Sequence, residues 1–364
     1  MNQDQVILQI LDLARWAPSG DNAQPWRFQV LDGLNFVIHG TDTRDHCIYD
    51  LDGRPTQLAL GALIETAAIA ASRHGLQLDA RLRPMTDPAR PSFDVRLMPQ
   101  DGVKADPLWR AIAERSVNRG RLSRAPLTGD HWQALQEAAG ADHELVAFEG
   151  AQRLAWASLL WANGGLRLRL PEAFETHRSV IDWDKRYSRT CIPDQALGVD
   201  AVTLSVMRRA MSSWQRVDFM NRWLAGTQMP RLLMDFLPAL LCGAHMALLA
   251  KRPPSTVEDY VAGGRAVQRL WLTATMLGLQ HQPAATPLVF SRYLREGTRF
   301  TANGEELRVA ARLAASLNGL LAGKADLALW LGRIGRGDAA TSRSVRRRLS
   351  EMSVGSERSD HPGG

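Results

Sequence analysis

The sequence predicts an α+β chain of two half-similar units packed as an internal pseudo-dimer, with a helical insertion in the second unit. Three observations predict this. Strand-like alternation and helix-like periodicity follow one another along the chain, and neither dominates. A helix that stops at glycine recurs: Gly61-x13-Gly75-Leu76-Gln77 returns 203 residues later as Gly264-x13-Gly278-Leu279-Gln280. Residues 165–250 break the rhythm, with Trp183, Trp214, Trp223 and a run of methionines but few strand signals.

Taken in order, residues 3–17 read as a helix, because Val6, Ile7, Ile10, Leu11, Leu13 and Ala14 recur at helical spacing. Pro18-Ser19-Gly20-Asp21-Asn22 ends it in a loop. Trp26, Phe28 and Val30 then alternate, Asp32-Gly33 turns the chain, and Phe36 and Ile38 resume the alternation, which predicts a hairpin. Residues 56–74 form an Ala-rich helix stopped by Gly75. LQLDARLRP and SFDVRLMP are strands joined by turn chemistry. A second unit begins near Pro107, with LWRAIAERSVNRG as a helix running into a basic loop. Residues 130–140 and 150–163 are helical. The apolar stretch 229–250 reads as a buried or lid helix, since Arg231, Asp235, Pro238 and His245 interrupt it too often for a membrane span. Residues 261–278 are helix, and 327–337 carry a strand's apolar run. The resulting division is a first half at 1–105, a second at 106–350 with a lid insertion at about 165–250, and a polar tail at 351–364 expected to be disordered.

Composition sets outer limits. In 364 residues there are 44 Lys+Arg against 38 Asp+Glu, a mildly basic balance that suits a phosphate-bearing ligand as well as nucleic acid. No helix-turn-helix, RNP or zinc-finger pattern accompanies the Arg-rich segments, so nucleic acid is not the expected partner. Cys47, Cys191 and Cys242 are far apart and make no metal set or disulfide framework. The N-terminus lacks the pattern of a signal peptide, which makes a cytoplasmic location the expectation. GxxxxGK[ST], strand-coupled GxGxxG and Gly-x-Ser-x-Gly are all absent.

Four constellations carry possible chemistry. Arg15-Trp16-Ala17-Pro18-Ser19-Gly20-Asp21-Asn22-Ala23-Gln24-Pro25-Trp26 joins small and amide residues at a helix end. It suits the polar edge of a planar heterocycle, or it simply caps the helix. Arg115-Ser116-Val117-Asn118-Arg119-Gly120-Arg121 is either a phosphate cradle or a solvated basic loop. The exit of the helix 261–278, through Pro283-Ala284-Ala285-Thr286, lets backbone approach a flat ligand, or is a plain turn. Arg333-Ile334-Gly335-Arg336-Gly337 with Arg343 and Arg346-Arg347-Arg348 would complete a phosphate site, or forms a basic tail.

In this order the constellations resemble the nitroreductase-like FMN flavoproteins. ARWAPSGDNAQPWRF is similar to that superfamily's Pro-Ser-x-x-Asn-x-Gln-Pro-Trp segment, and Leu-Gly-Leu-Gln-His-Gln-Pro to the helix exit that leads to the flavin N5. The ordinary family places an Arg-Ser motif before Pro-Ser-x-x-Asn. Here Arg115-Ser116 comes about a hundred residues after it, which resembles the long single-chain branch, including the Acg- and MoeY-type proteins. The resemblance implies one FMN per chain. Pro18, Ser19 and Asn22 would meet the isoalloxazine or ribityl side, and Arg115, Ser116 and Arg119 the phosphate. Pro283 and the backbone of Ala285 and Thr286 would face N5, with no catalytic side chain. Arg346 and Arg348 would supply a late basic pair. The implied activity is FMN-dependent oxidoreduction of a small molecule or biosynthetic intermediate, with NADH or NADPH as reductant. The alternative is a flavin-storing protein closed by its lid. Neither a membrane nor nucleic acid is expected as partner, and the chain is expected as a monomer or homodimer.

Overall fold

The computed structural model describes residues 3–354. Helix α1 (Gln3–Ala14) buries Ile7, Ile10, Leu11 and Ala14, one stripe at i, i+3, i+4 and i+7. A hairpin follows, β1 (Trp26–Val30) and β2 (Asn35–Gly40), then α2 (Arg54–Ser72), β3 (Leu76–Leu82) and β4 (Ser92–Pro99). The second unit has α3 (Gly129–Ala139), β5 (His143–Phe148), the helices α4 (Gln152–Arg169), α5 (Pro171–Val180), α6 (Ala201–Ala210) and α7 (Trp214–Trp223), then β6 (Ala244–Ala250), α8 (Val257–Met276), β7 (Leu279–Pro283), α9 (Thr286–Glu296), α10 (Gly304–Leu320) and β8 (Ala328–Arg336).

The two units share one topology. The first sheet runs β1-β2-β4-β3 and the second β5-β6-β8-β7, every neighbouring pair antiparallel. In each unit a long helix, α2 or α8, joins the second strand to the third. Gly75 and Gly278 both sit at φ 69°, where glycine alone is unstrained, and start β3 and β7 at equivalent points.

Helices α2 and α8 pack against each other, and their contact is reciprocal. A Cβ on Gly61 would lie 2.0 Å from the Val261 carbonyl oxygen, and one on Gly264 would lie 2.0 Å from that of Leu58. Shifted by 203 residues, each contact is the other. One turn further on, Arg269 Nη1 donates to Glu65 Oε1 at 2.8 Å while Gln268 Nε2 donates to Thr66 Oγ1 at 2.9 Å, again a related pair. The echo between the two halves is therefore a pseudo-two-fold packing. Small residues let the backbones meet, and polar pairs satisfy what burial would otherwise leave costly.

Several expectations are corrected. The helix expected after Pro107 is only a short turn, Pro107–Ala111, capped by the Asp106 side chain. The chain then leaves helical geometry to lie along the β7 edge, with Val117 bridged to His281 and the Asn118 N–H donated to the His281 carbonyl at 3.0 Å. The stretch 229–250 is not one helix. Residues 244–250 are β6, central in the second sheet and buried on both faces, where a continuous apolar run replaces alternation. The insertion accordingly separates β5 from β6 and ends before residue 244. Its early part is core, since Leu166, Leu170 and Ala173 are buried in the second unit, whereas α6 and α7 bury no residue. Strand β5 had no clear sequence signal.

The disorder expected from 351 does not hold for residues 351–354. Met352 is fully buried in the first unit's core, and Phe28 exchanges two 2.8 Å backbone bonds with Met352 and Val354. The chain thus crosses back to the first half, and residues 355–364 lie outside the described residues. No described helix is long and apolar enough to cross a membrane.

Candidate functional site

A cavity of about 510 Å³ lies where the two units and the insertion meet. Pro18, Ser19, Asn22, Arg115, Ser116, Arg119, Pro283, Ala285, Thr286 and Arg346 all line it, so segments far apart in sequence converge on one space. Arg348 does not. It is exposed, and its backbone N–H donates to Glu351 Oε2 in the turn that carries Met352 into the core. Arg343, five residues earlier, lines the cavity in its place.

The 18–24 loop is held in costly backbone geometry. Asp21, Asn22 and Gln24 take φ values of 50°, 62° and 51°, a region in which non-glycine residues are strained. Side chains fix it there. Ser19 Oγ accepts from the Gln24 N–H at 2.9 Å, Gln24 Nε2 donates to the Arg189 carbonyl at 2.8 Å, and Gln24 Oε1 accepts from the Arg347 N–H at 2.9 Å. Asn22 Nδ2 donates to the Val345 carbonyl at 3.1 Å, while its Oδ1 is buried with no partner.

At one end three guanidiniums gather. Arg115 is 2% exposed and donates to the Trp16 carbonyl, Arg346 donates to the Ala17 carbonyl, and Arg343 to the Ala113 carbonyl. Arg115 also lies over the Trp271 ring at 4.5 Å. Among the described residues none of the three forms an ion pair with a carboxylate. Burial, reinforced by mutual repulsion with its neighbours, pulls the Arg115 pKa well down and brings that of Arg346 down to about 9. Arg115 and Arg346 are buried and Arg343 is half-buried, so the three like charges destabilise one another, and an anion between them removes the penalty. The buried Nε atoms of Arg115 and Arg343 have no partner.

A second polar group in the cavity lining had no sequence signal. Asn163 and Arg167, one turn apart on α4, line the cavity with Tyr49, His177 and Asp235. Tyr49 Oη and His177 Nε2 are 2.8 Å apart, and Arg167 Nη2 donates to Asp235 Oδ1 at 2.8 Å. Gly164 makes room for that pair, since a Cβ there would stand 2.0 Å from Asp235 Oδ2. Asn163 Nδ2 donates to Thr286 Oγ1 at 2.6 Å. Burial raises Asp21 and Asp235, while Arg167 and other nearby guanidiniums oppose the shift.

Ala285 caps α9 and Thr286 is its first residue. Pro287 has no N–H and Leu288 donates back to the Ala285 carbonyl at 3.0 Å, so the donors left at this end, beside the positive dipole, are the N–H groups of Ala285 and Thr286. On β7, His281 is buried: Nδ1 donates to the Arg333 carbonyl and Nε2 accepts from Trp330 Nε1 at 3.1 Å, and burial lowers its pKa to about 3, so the ring is neutral. Among the described residues no His, Cys, Asp and Glu group is arranged to hold a metal.

No family model matches the chain. The uncharacterized protein MT1398 of Mycobacterium tuberculosis (strain CDC 1551 / Oshkosh) is 24% identical over 291 residues, covering 76% of this chain and 38% of that protein. The chain thus spans well under half the length of this curated relative. Among solved structures, the FMN-dependent nitroreductase NfnB from Mycobacterium smegmatis in complex with NADPH is 18% identical, covering 68% of this chain and 96% of its own, with a TM-score of 0.37. A nitroreductase with bound FMN from Bacteroides fragilis is 12% identical, covering 64% and 89%, with a TM-score of 0.33. A nitroreductase-like family protein from Bacillus cereus is 14% identical, covering 68% and 94%, with a TM-score of 0.33. The solved structures that the chain is similar to are consistently nitroreductases or nitroreductase-like proteins.

Proposed function

We propose that the chain is an FMN-dependent, nitroreductase-like oxidoreductase of the long single-chain kind, in which two half-units stand in for a dimer and share one flavin. One observation carries this reading. Two buried guanidiniums, Arg115 and Arg346, and the half-buried Arg343, none with a carboxylate ion pair, line the cavity, and the strained Pro18–Asn22 loop with the unpartnered Asn22 Oδ1 also lines it. Arg115, Arg343 and Arg346 would hold the phosphate by charge-assisted bonds. The Ser19–Asn22 loop would meet the ribityl chain and the polar ring edge, and the N-terminus of α9 at Ala285 and Thr286 would face the reactive side of the ring. Bound FMN would supply hydride or electron transfer, here between NADH or NADPH and a small organic acceptor. The protein's own part is to bind, orient and shield, and no acid or base side chain is required for the transfer itself.

The test is cofactor content. Purified or reconstituted protein should release about one equivalent of FMN on denaturation, and NADPH or NADH should bleach its visible spectrum. Two equivalents, FAD, or a colourless protein that does not take up FMN would refute the reading. A second reading, flavin storage, is favoured by Met207, Met211, Met220 and Met234 of the insertion, which line the cavity. Bound FMN that neither nicotinamide reduces would select it.

A further inference from the structure

We propose that Asp21 is the acid that delivers a proton to an organic acceptor in the cavity as the acceptor takes up hydride. The proposal rests on the flavin reading, which supplies the hydride. Hydride transfer itself needs no acid, but the acceptor that it reduces needs a proton.

Among the described residues two carboxylates line the cavity, Asp21 and Asp235. Asp235 is committed to Arg167 at 2.8 Å. Asp21 forms no ion pair among the described residues, and its carboxylate meets one donor, the Cys47 thiol, whose Sγ stands 4.0 Å from Oδ2. Backbone strain keeps it in this place. Asp21 sits at φ 50° in the loop that the bonds of Ser19, Asn22 and Gln24 lock. Ser19, Gly20 and Asn22 line the cavity beside it, so a ring lying against this loop brings its acceptor to Asp21.

The surroundings suit a proton that leaves and returns. Burial is the largest influence on Asp21 and raises its pKa; Arg119 and Arg167 oppose the rise, and Asp50 adds to it. The neutral acid therefore persists above the ordinary carboxylate range, and the anion left by donation lies in the field of two guanidiniums. The other groups facing it hold their protonation. Burial pushes the Cys47 thiol up to about 12 and Tyr49 higher, and it keeps His177 neutral with pKa about 3. The step balances. Hydride brings an electron pair to the acceptor, and the pair displaced onto the acceptor's heteroatom bonds to hydrogen as the Asp21 O–H bond breaks. The acceptor is reduced, the cofactor is oxidised, and the carboxylate regains a proton from water before the next turnover.

The experiment compares the full chain with Asp21→Asn, which keeps the side chain's shape and tolerates positive φ. Each is loaded with FMN, reduced with NADPH and mixed with nitrofurazone, which takes up protons as it is reduced, or with ferricyanide, which takes electrons alone. The ratio of the nitrofurazone rate to the ferricyanide rate should fall about a hundredfold in the variant, the lower end of what a positioned acid contributes. The wild-type nitrofurazone rate should decline as pH rises through the folded-state pKa of Asp21, and the variant should lack that decline. Separately from turnover, infrared difference spectra of wild type minus variant should show a protonated carboxyl band that titrates above the usual aspartate range. An unchanged rate ratio in protein whose FMN binds and bleaches, or no such band, would overturn the proposal and leave the flavin reading standing. A wild-type nitrofurazone rate that is flat with pH, read without any variant, would overturn it equally. Protein that takes up no FMN would refute the flavin reading itself, and this inference with it.

Discussion

Substituting Gly264 by alanine should separate the two halves of the molecule. The new Cβ would lie 2.0 Å from the Leu58 carbonyl oxygen, 2.7 Å from its carbon and 2.9 Å from its Cα. All three atoms are backbone, so no side chain can swing aside. An ordinary carbon–oxygen contact is about 3.3–3.6 Å, so the helices must part by more than an ångström over a close-packed interface. Overpacking usually costs about 1–3 kcal/mol and sometimes more. With a rigid obstacle on the central helix pair, the upper end of that range, about 3 kcal/mol, is expected. Urea denaturation followed by far-ultraviolet circular dichroism would read this as a midpoint lowered by about 1 M. Gly61→Ala should cost a similar amount, because its Cβ meets the Val261 carbonyl at the same 2.0 Å. The double variant should cost less than the two singles together, since one separation of the helices accommodates both methyl groups. An unchanged midpoint in Gly264→Ala, or strict additivity in the double variant, would refute the reciprocal packing.

Arg115→Met should raise the stability of flavin-free protein or leave it unchanged, because it removes a buried charge that Arg343 and Arg346 repel while keeping contact with Trp271. It should weaken FMN binding about ten- to a hundredfold, the worth of roughly 1.5–3 kcal/mol for a charge-assisted contact; unchanged affinity by fluorescence titration would place the phosphate elsewhere. Stability should also fall on acidification below about pH 6.5. His245 and His281 are each 1% exposed, with pKa values of about 4 and about 3. Their folded-state values lie below the unfolded ones, so from pH 6.5 down to 4 the unfolded chain takes up protons that the native chain does not. Each contributes a loss approaching about 1.4 kcal/mol per pH unit in that window. Buried Asp21, Asp50 and Asp235, whose values burial raises, act in the opposite direction, since the native chain takes up their protons before the unfolded chain does. Denaturation midpoints at pH 7, 6 and 5 check it, and a flat profile would contradict neutral buried imidazoles.

Local chemistry made much of the architecture legible. The apolar stripe of α1, the Asp32-Gly33 hairpin, the glycine stops of α2 and α8 and the strands after them are all short-range signals, set by periodicity and by backbone freedom at one residue. The glycine echo also announced the internal repeat, because close helix contact demands a missing Cβ at the same place in both halves. The loop 18–24 and the run 115–119 were visible for a similar reason: strained turns and clustered guanidiniums need particular residue types. Where signals were lost, tertiary burial had replaced them. Strand β6 is covered on both faces, so its apolar run lacks alternation and reads equally as helix. The turn after Pro107 gives up its helix to pair with the β7 edge, which no local preference foretells.

The cavity divides the same way. The sequence by itself determined which residues had the chemistry to meet an anion and a planar ring. Only the tertiary structure decided that Arg343, and not Arg348, joins Arg115 and Arg346, because Met352 must reach the first core and that fixes which way the preceding arginines face. Tyr49, Asn163, Arg167, His177 and Asp235 are spread over 187 positions and form no motif. They become a wall because α4 and α5 pack across the site and Gly164 leaves space for Asp235 beside Arg167. Spacing along a chain fixes which side chains share a helix face or a strand edge, but packing brings faces from different elements to the same few cubic nanometres.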